Sequence, residues 1–324
     1  MPLPSDTRQL ADVAATTLDG YMKELVENVF NSNALWVRLA SRDRIILDGG
    51  DKIRQSIIYD KLNSGWYTGL DEFDVSRKLT KTPMIFSWKQ IWANLSIDGL
   101  SMLQNAGAAK VIDMVETEQE TARLTLSDAL GTALYGDGQG TVTSSKALDG
   151  LLAAVDDSTN YGTYGGISRA VADSVGLAIR GKYDATGGAF SLPAVNTQFG
   201  LATIQPEKPD LIVTTQTLWN KFWERAQPSQ RTPSGPGFDD LARIGFDTIN
   251  FNGAAVVVDS KPTTGSVFGL NTKSIKLVVH RDRDFHFTGF KIPINQDAIV
   301  GQILWAGNLV VPSPRLNFQM RNLT

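Results

Sequence analysis

AAKVIDMVETEQETARLTLSDALGTALYGDGQG, residues 108–140, decides how the rest of the chain is read. From Ala108 to Tyr135 the apolar residues recur at helical spacing. Val111, Val115, Ala122, Leu126, Ala129 and Ala133 fall on one stripe, and Glu116, Glu118, Glu120 and Arg123 mostly on the other side. The cluster Gly136-Asp137-Gly138-Gln139-Gly140 ends the pattern. At 1.5 Å per residue such a helix runs about 40 Å. A helix that long with one narrow apolar stripe is expected to lie as a spine across a sheet, not to join a bundle.

Just upstream, Ser96 and Asp98 are helix-start signals before Leu100 and Leu103. Further back, residues 52 to 60 alternate, with Ile53, Ile57 and Tyr59 on one face and Arg54, Ser56 and Asp60 on the other. Met84, Phe86, Trp88 and Trp92 alternate again, and the stretch between them is polar, with an exposed-looking Trp66-Tyr67 pair. Together they read as a long β-hairpin with an extended tip, which is marginal in isolation and needs something to lie on. Asp48-Gly49-Gly50 is the turn that leads into it.

At the N-terminus, Leu10, Ala14, Leu18, Tyr21, Leu25 and Val29 share one face of an amphipathic helix over residues 7–30, with Asp6 as its cap. Asn31-Ser32-Asn33 breaks it, and Asn33 is placed to cap a short turn through Trp36 and Leu39. Beyond residue 140, strand-like runs (211–215, 254–259, 275–279, 299–304) alternate with glycine-rich loops and two short helices, at 193–203 and 216–227. Pro228 to Gly237 is the strongest loop signal. The organisation is α+β, and no repeat of 20 to 50 residues is present.

Composition removes several functions. The 324 residues carry 31 basic and 34 acidic side chains, a net charge of −3, which is too balanced for attachment to nucleic acid by counterion release. With no cysteine, there is no disulfide frame, thiolate nucleophile or cysteine zinc site. The start, MPLPSDTRQL, lacks the charge and apolar run of a signal peptide. The apolar stretch Ile299–Val311 is broken by Gln302 and Asn308 and falls short of the ~20 residues of a membrane helix.

Three constellations carry candidate chemistry. Gly176 to Lys182 has the spacing of a phosphate-binding loop, but Tyr183 stands where the magnesium-binding hydroxyl belongs and a loop is expected to follow. His280, Asp282, Asp284 and His286 would share one face if they lie on a strand, and two imidazoles with two carboxylates are a weak metal candidate. Ligands on one flat strand diverge, so a solvated face with Phe285 and Phe287 buried behind it is the competing reading. The carboxylate runs 71–74 and 116–120 read as solvated faces. A Ser-His-Asp triad would need one of the two histidines, and no G-x-S-x-G elbow exists. Nothing argues for an enzyme, and no cofactor is expected.

In their order and spacing these features resemble a tailed-bacteriophage major capsid protein of the HK97-like fold. The resemblance is carried by SGWYTGLDEF (64–73), FSWKQ (86–90), LSIDGLSMLQNAG (95–107), DGLLAAVDDSTNYGTYGGISR (149–169), PDLIVTTQTLWNKF (209–222), GFDTINFNGAAVVVD (245–259) and NQDAIVGQILWAGNLVV (295–311). It implies an N-terminal arm (1–45) and an extended hairpin loop (46–92). It further implies a peripheral domain with the spine helix (93–140 and 273–308) and an axial domain (141–272 and 309–324). Such subunits assemble as hexamers and pentamers into an icosahedral shell around double-stranded DNA, in the virion, after assembly in the host cytoplasm. The implied partners are the chain itself, a portal protein, and a separate scaffolding protein and a decoration protein, with no membrane. The stretch 170–203 matches the pattern poorly.

The residues expected at contacts between subunits are Trp66, Tyr67 and Phe73 of the hairpin and Leu10, Leu18, Tyr21 and Leu25 of the arm. Some relatives lock their shells through lysine–asparagine bonds. Here Lys61, Lys78 and Lys81 sit among Asp60, Asp71, Glu72, Asp74 and Arg77, a wet setting that keeps a lysine protonated, so shells without covalent links are expected. The alternatives are an encapsulin-like compartment and a metal-dependent hydrolase built on the two histidines.

Overall fold

The computed structural model describes residues 33–104, 114–171, 173–226, 248–294 and 296–324. Residues 1–32 of the arm, with Leu10, Leu18, Tyr21 and Leu25, lie outside the described residues, as do Val111 and the loop 228–237. The described chain begins at Asn33, whose Oδ1 accepts the Trp36 amide at 2.8 Å and caps the helix Ala34–Ser41 as expected. Strands then follow in order: β1 (Arg44–Leu47), β2 (Ile53–Ile58), β3 (Lys81–Phe86) and β4 (Lys89–Asp98).

The long helix is real over Met114–Leu134. Its buried stripe is Ala122, Leu126, Leu130 and Leu134, a strict i, i+4 row. Ala129 and Ala133, expected in that row, are half-buried beside it. The two leucines win because they bury more apolar area per position. Asn33 packs against the helix at Gly131, where an added Cβ would meet the asparagine side chain.

After the helix come β5 (Thr163–Tyr164), β6 (Ile167–Ser168), β7 (Lys182–Asp184), β8 (Leu211–Thr214), β9 (Thr248–Phe251), β10 (Ala254–Val258), β11 (Val267–Leu270), β12 (Lys276–His280), β13 (His286–Phe287), β14 (Ala298–Val310) and β15 (Phe318–Met320). The helices Leu192–Ala202 and Gln216–Ala226 match the two expected.

Two sheets result. In the first, β14 pairs antiparallel with β4 from Ala298↔Asp98 to Gly307↔Lys89, and on its other edge with β12 and β13. β1 completes it, parallel to β12. β4 therefore runs through Ser96, where a helix start was expected. Asp98 alone acts as the cap, its carboxylate accepting the Ser101 amide at 2.9 Å. Trp92 likewise belongs to this sheet and not to the hairpin. The spine helix lies on the sheet, with Ala122 and Leu126 against Leu95 and Ile303.

The second sheet has the order β7-β15-β11-β8-β10-β9. Both its faces are covered. Ile212, Ala254 and Val256 point toward Val195, Phe199, Leu218 and Phe222 of the two short helices. Leu211, Val213, Ala255 and Val257 point the other way, into the large core that also holds Leu130, Leu134 and Tyr135. This alternation turns continuous apolar strands into the wall between two cores. Tyr135, at the end of the spine, donates its hydroxyl to Asp259 at 2.9 Å and so ties the helix to the second sheet.

The stretch 149–169 knots the two sheets together. Asn308, which interrupts the apolar run of β14, is fully buried; it donates to Asp149 at 2.7 Å and to the Ser87 carbonyl at 2.9 Å. Arg169 is also fully buried. Its guanidinium donates to the carbonyls of Ala153 and Ala154, both at 2.6 Å, and of Ile179 at 2.9 Å. It lies over the Tyr164 ring, and burial pushes its pKa down to about 10. A buried cation is tolerated only when its donors are matched in this way.

Replacing Leu126 by proline should cost at least about 3 kcal/mol from the lost backbone bond and ring clash. The deleted side chain adds about 2–5 kcal/mol. The expected outcome is loss of soluble folded protein, read by circular dichroism and urea denaturation. An unchanged unfolding midpoint would show that the helix does not carry the sheet.

Candidate assembly surface

The hairpin is anchored at its base and free at its end. β2 and β3 pair from Ile53↔Phe86 to Ile58↔Lys81. Ile53, Ile57, Met84 and Phe86 face inward and enter the large core. Phe86 meets Tyr164 edge-on at 5.2 Å, and the Ile85 amide donates to the Gly165 carbonyl at 2.8 Å. Gly165 and Gly166, at φ 57° and 74°, form the two-residue turn joining β5 to β6. Positive φ at both central residues is what such a tight turn demands, and it brings Gly165 against Met84 and Phe86.

Beyond Ile58 the ladder stops. Residues 61–79 form an extended tip without regular secondary structure. Local polar contacts give it shape. The Asn63 amide donates to Asp74 at 2.8 Å, the Thr68 N–H donates to Asp71 at 2.8 Å, and Tyr67 meets Phe73 edge-on at 5.0 Å. Lys78 pairs with Asp60 at 3.1 Å. The Lys61 N–H and then Lys78 hold the Asp60 carboxyl below its usual range, and the Ser76 hydroxyl and amide do the same for Asp74. Asp74 is exposed and the Asp60 side chain is 27% exposed, so water screens these contacts, which shape the tip without stabilising it much.

The apolar side chains of the tip have nowhere to go within the chain. Trp66 is fully exposed, and Leu62, Tyr67, Leu70, Phe73, Val75 and Leu79 are each exposed by 65% or more. Of the three tip residues expected from the sequence at subunit contacts, Tyr67 and Phe73 touch each other and Trp66 stands exposed on the same tip. The four aliphatic residues were missed there, because they sit among charges without a period. An exposed apolar cluster of this kind marks an interaction site. Leu100, Leu103, Ile292 and Ile294 are exposed as well.

The histidine constellation is not a strand face. β12 ends at His280, Arg281–Arg283 form a 3-10 turn, and β13 begins at His286. The turn forms because the His280 Nδ1 accepts the Asp282 amide at 3.2 Å, while Asp284 pairs with Arg44. Among the described residues no three His, Asp or Glu side chains gather to hold a metal. Phe285 and Phe287 do pack inward as the competing reading required. The phosphate-loop spacing fails too. A helix, Ser174–Ala178, occupies its first half and β7 follows it, the reverse of strand then helix.

The sequence matches no family model and no curated protein. Solved structures do match over nearly the whole chain. The cyanophage A-1(L) capsid asymmetric unit is 15% identical, covers 96% of this chain and 98% of its own, and superposes with a TM-score of 0.69. The capsid of a native GTA particle is 10% identical over 100% of both chains, with a TM-score of 0.64. The SrpI encapsulin of Synechococcus elongatus is 8% identical over 100% of this chain and 96% of that one, with a TM-score of 0.58. The chain has the HK97-like fold.

Because Trp66 and Phe73 are exposed, replacing both by alanine should leave the unfolding free energy of the unassembled subunit within about 0.5 kcal/mol of wild type. The same variant should lose self-association in sedimentation velocity. A large drop in intrinsic stability would mean that the tip packs on its own chain.

Proposed function

We propose that this chain is the major capsid protein of a tailed bacteriophage. In this role it is the structural subunit that closes, as hexamers and pentamers, into the icosahedral head around double-stranded DNA. The observation that carries the reading is the exposed apolar hairpin tip, mounted on a fold otherwise found in shell subunits. A projecting element that fits a different surface on the next copy makes a heterologous contact, and such contacts close rings when the rotation allows. The net charge of −3 suits a container that encloses a polyanion without gripping it. The role is structural and not enzymatic.

The division into arm (1–45), extended loop (46–92), peripheral part (93–140 and 273–308) and axial part (141–272 and 309–324) belongs to this proposal, with two adjustments. Residues 89–92 lie in β4 of the peripheral sheet. Residues 44–47 join the peripheral sheet through β12. Residence in the virion, assembly in the host cytoplasm, and a portal, scaffolding and decoration protein belong to the same proposal. The likeness to an encapsulin favours a second reading, a compartment that houses protein cargo. Nuclease-protected DNA in particles from infected cells supports the first reading; particles that carry only protein support the second.

Deleting 64–80 should leave a folded core that no longer closes shells, seen as soluble subunits or open capsomers by electron microscopy. Closed particles from that deletion would make the tip mere decoration. Mature particles boiled in detergent should run as one band at the subunit mass, since the tip lysines are exposed to solvent and Lys78 is ion-paired with Asp60. A ladder of multimers surviving the boil would contradict this.

A further inference from the structure

The chain contains a single Asn-Gly step, Asn252-Gly253. It forms the two-residue turn between β9 and β10, at the outer edge of the second sheet, where Phe251 pairs with Ala254. Both residues are exposed, and their φ angles of 52° and 84° are the left-handed pair that such a turn demands. The same step is chemically weak. The Gly253 nitrogen can attack the Asn252 side-chain carbonyl carbon, because glycine has no Cβ to hinder the approach. Lys208 donates to the Asn252 backbone carbonyl at 3.1 Å, and a cation on that peptide eases loss of the Gly253 amide proton. Both reacting groups are nevertheless held. The Gly253 N–H donates to the Asn250 Oδ1 at 2.9 Å, and the Asn252 Nδ2 donates to the Asn196 Oδ1, on the helix Leu192–Ala202.

We propose that Asn252 is a site of spontaneous deamidation that Asn196 and Asn250 hold latched in the folded subunit. In the reaction a bond forms from the Gly253 nitrogen to the Asn252 Cγ, and the Cγ–Nδ2 bond breaks. Ammonia leaves, taking the proton lost from the Gly253 nitrogen. Water then opens the cyclic imide at either carbonyl, leaving aspartate or isoaspartate at 252. No enzyme, oxidant or cofactor takes part. Attack needs the two atoms in contact with their orbitals aligned. Asn250 keeps the proton on the nitrogen, and Asn196 holds the side-chain amide against rotation into line. Isoaspartate routes the backbone through the side chain, so it lengthens a turn that has room for two residues and breaks the β9–β10 register. The proposal stands whether or not the chain builds a shell.

The test incubates the full-length chain in mildly alkaline buffer and follows residue 252 by peptide mass spectrometry, as the change from amide to acid. Asn196→Ala and Asn250→Ala are compared with wild type, and circular dichroism confirms which variants stay folded. Each folded variant should deamidate at 252 faster by about fivefold, the change that loss of one ordinary hydrogen bond gives. Asn196 is exposed on its helix, where alanine is a good helix former, so that variant keeps the fold. Equal rates in folded Asn196→Ala and wild type overturn the proposal.

Wild-type chain held unfolded in urea supplies a second measurement, because both latching bonds are then absent. It should deamidate at 252 faster than the folded chain in the same buffer. In urea the Gly253→Ala variant should lose most of that rate, since the added methyl hinders the attacking nitrogen. A wild-type rate in urea no higher than that of the folded chain, or one unchanged by Gly253→Ala, overturns the proposal.

Discussion

A two-stranded ribbon cannot bury its own end, and most of this molecule is arranged around that constraint. The hairpin has one inward row, Ile53, Ile57, Met84 and Phe86, and it is fully used at the base. From Ile58 to Leu79 the exposed apolar side chains have no sheet or helix of their own chain beneath them. Each would gain about 1.5–3 kcal/mol on full burial. That gain is available only against another molecule, which is why these residues carry the proposed assembly.

Such an end is useful only if its base does not swivel. The base is held by a chain of contacts built around two fully buried polar side chains, Arg169 and Asn308. Phe86 rests on Tyr164, Tyr164 lies under Arg169, and Arg169 donates to the carbonyls of Ala153, Ala154 and Ile179. On the other side, Asn308 bonds Asp149 and the carbonyl of Ser87, one residue beyond the hairpin. Losing one partner in a buried set of this kind costs more than the bond itself, since the other is left unsatisfied. The large core therefore joins both sheets, the spine and the hairpin base into one body.

Periodicity made the spine, the hairpin strands and the two short helices readable, because each has one buried face and one wet one. It failed where a strand is buried on both sides. β14 runs unbroken from Ala298 to Val310, and its Gln302 and Asn308 looked like interruptions. Asn308 is in fact a buried anchor whose partners, Asp149 and Ser87, are far away in sequence. Within the spine the stripe was misplaced by one residue, at Ala129 and Ala133, since alanine spacing alone cannot say which side the leucines take. The alternation of His280, Asp282, Asp284 and His286 suggested a strand, but a histidine that accepts a backbone amide two residues on favours a turn. The aromatic part of the tip could be read from Trp66-Tyr67. Its aliphatic part could not, because exposure without a period leaves no pattern.

The central claim is that the chain does not live alone. Electron microscopy of the purified full-length protein, over a range of salt and protein concentration, tests it most directly. The account predicts rings of five or six subunits and closed shells. A monodisperse monomer at high concentration, with its hairpin tip in solvent under every condition, would contradict it.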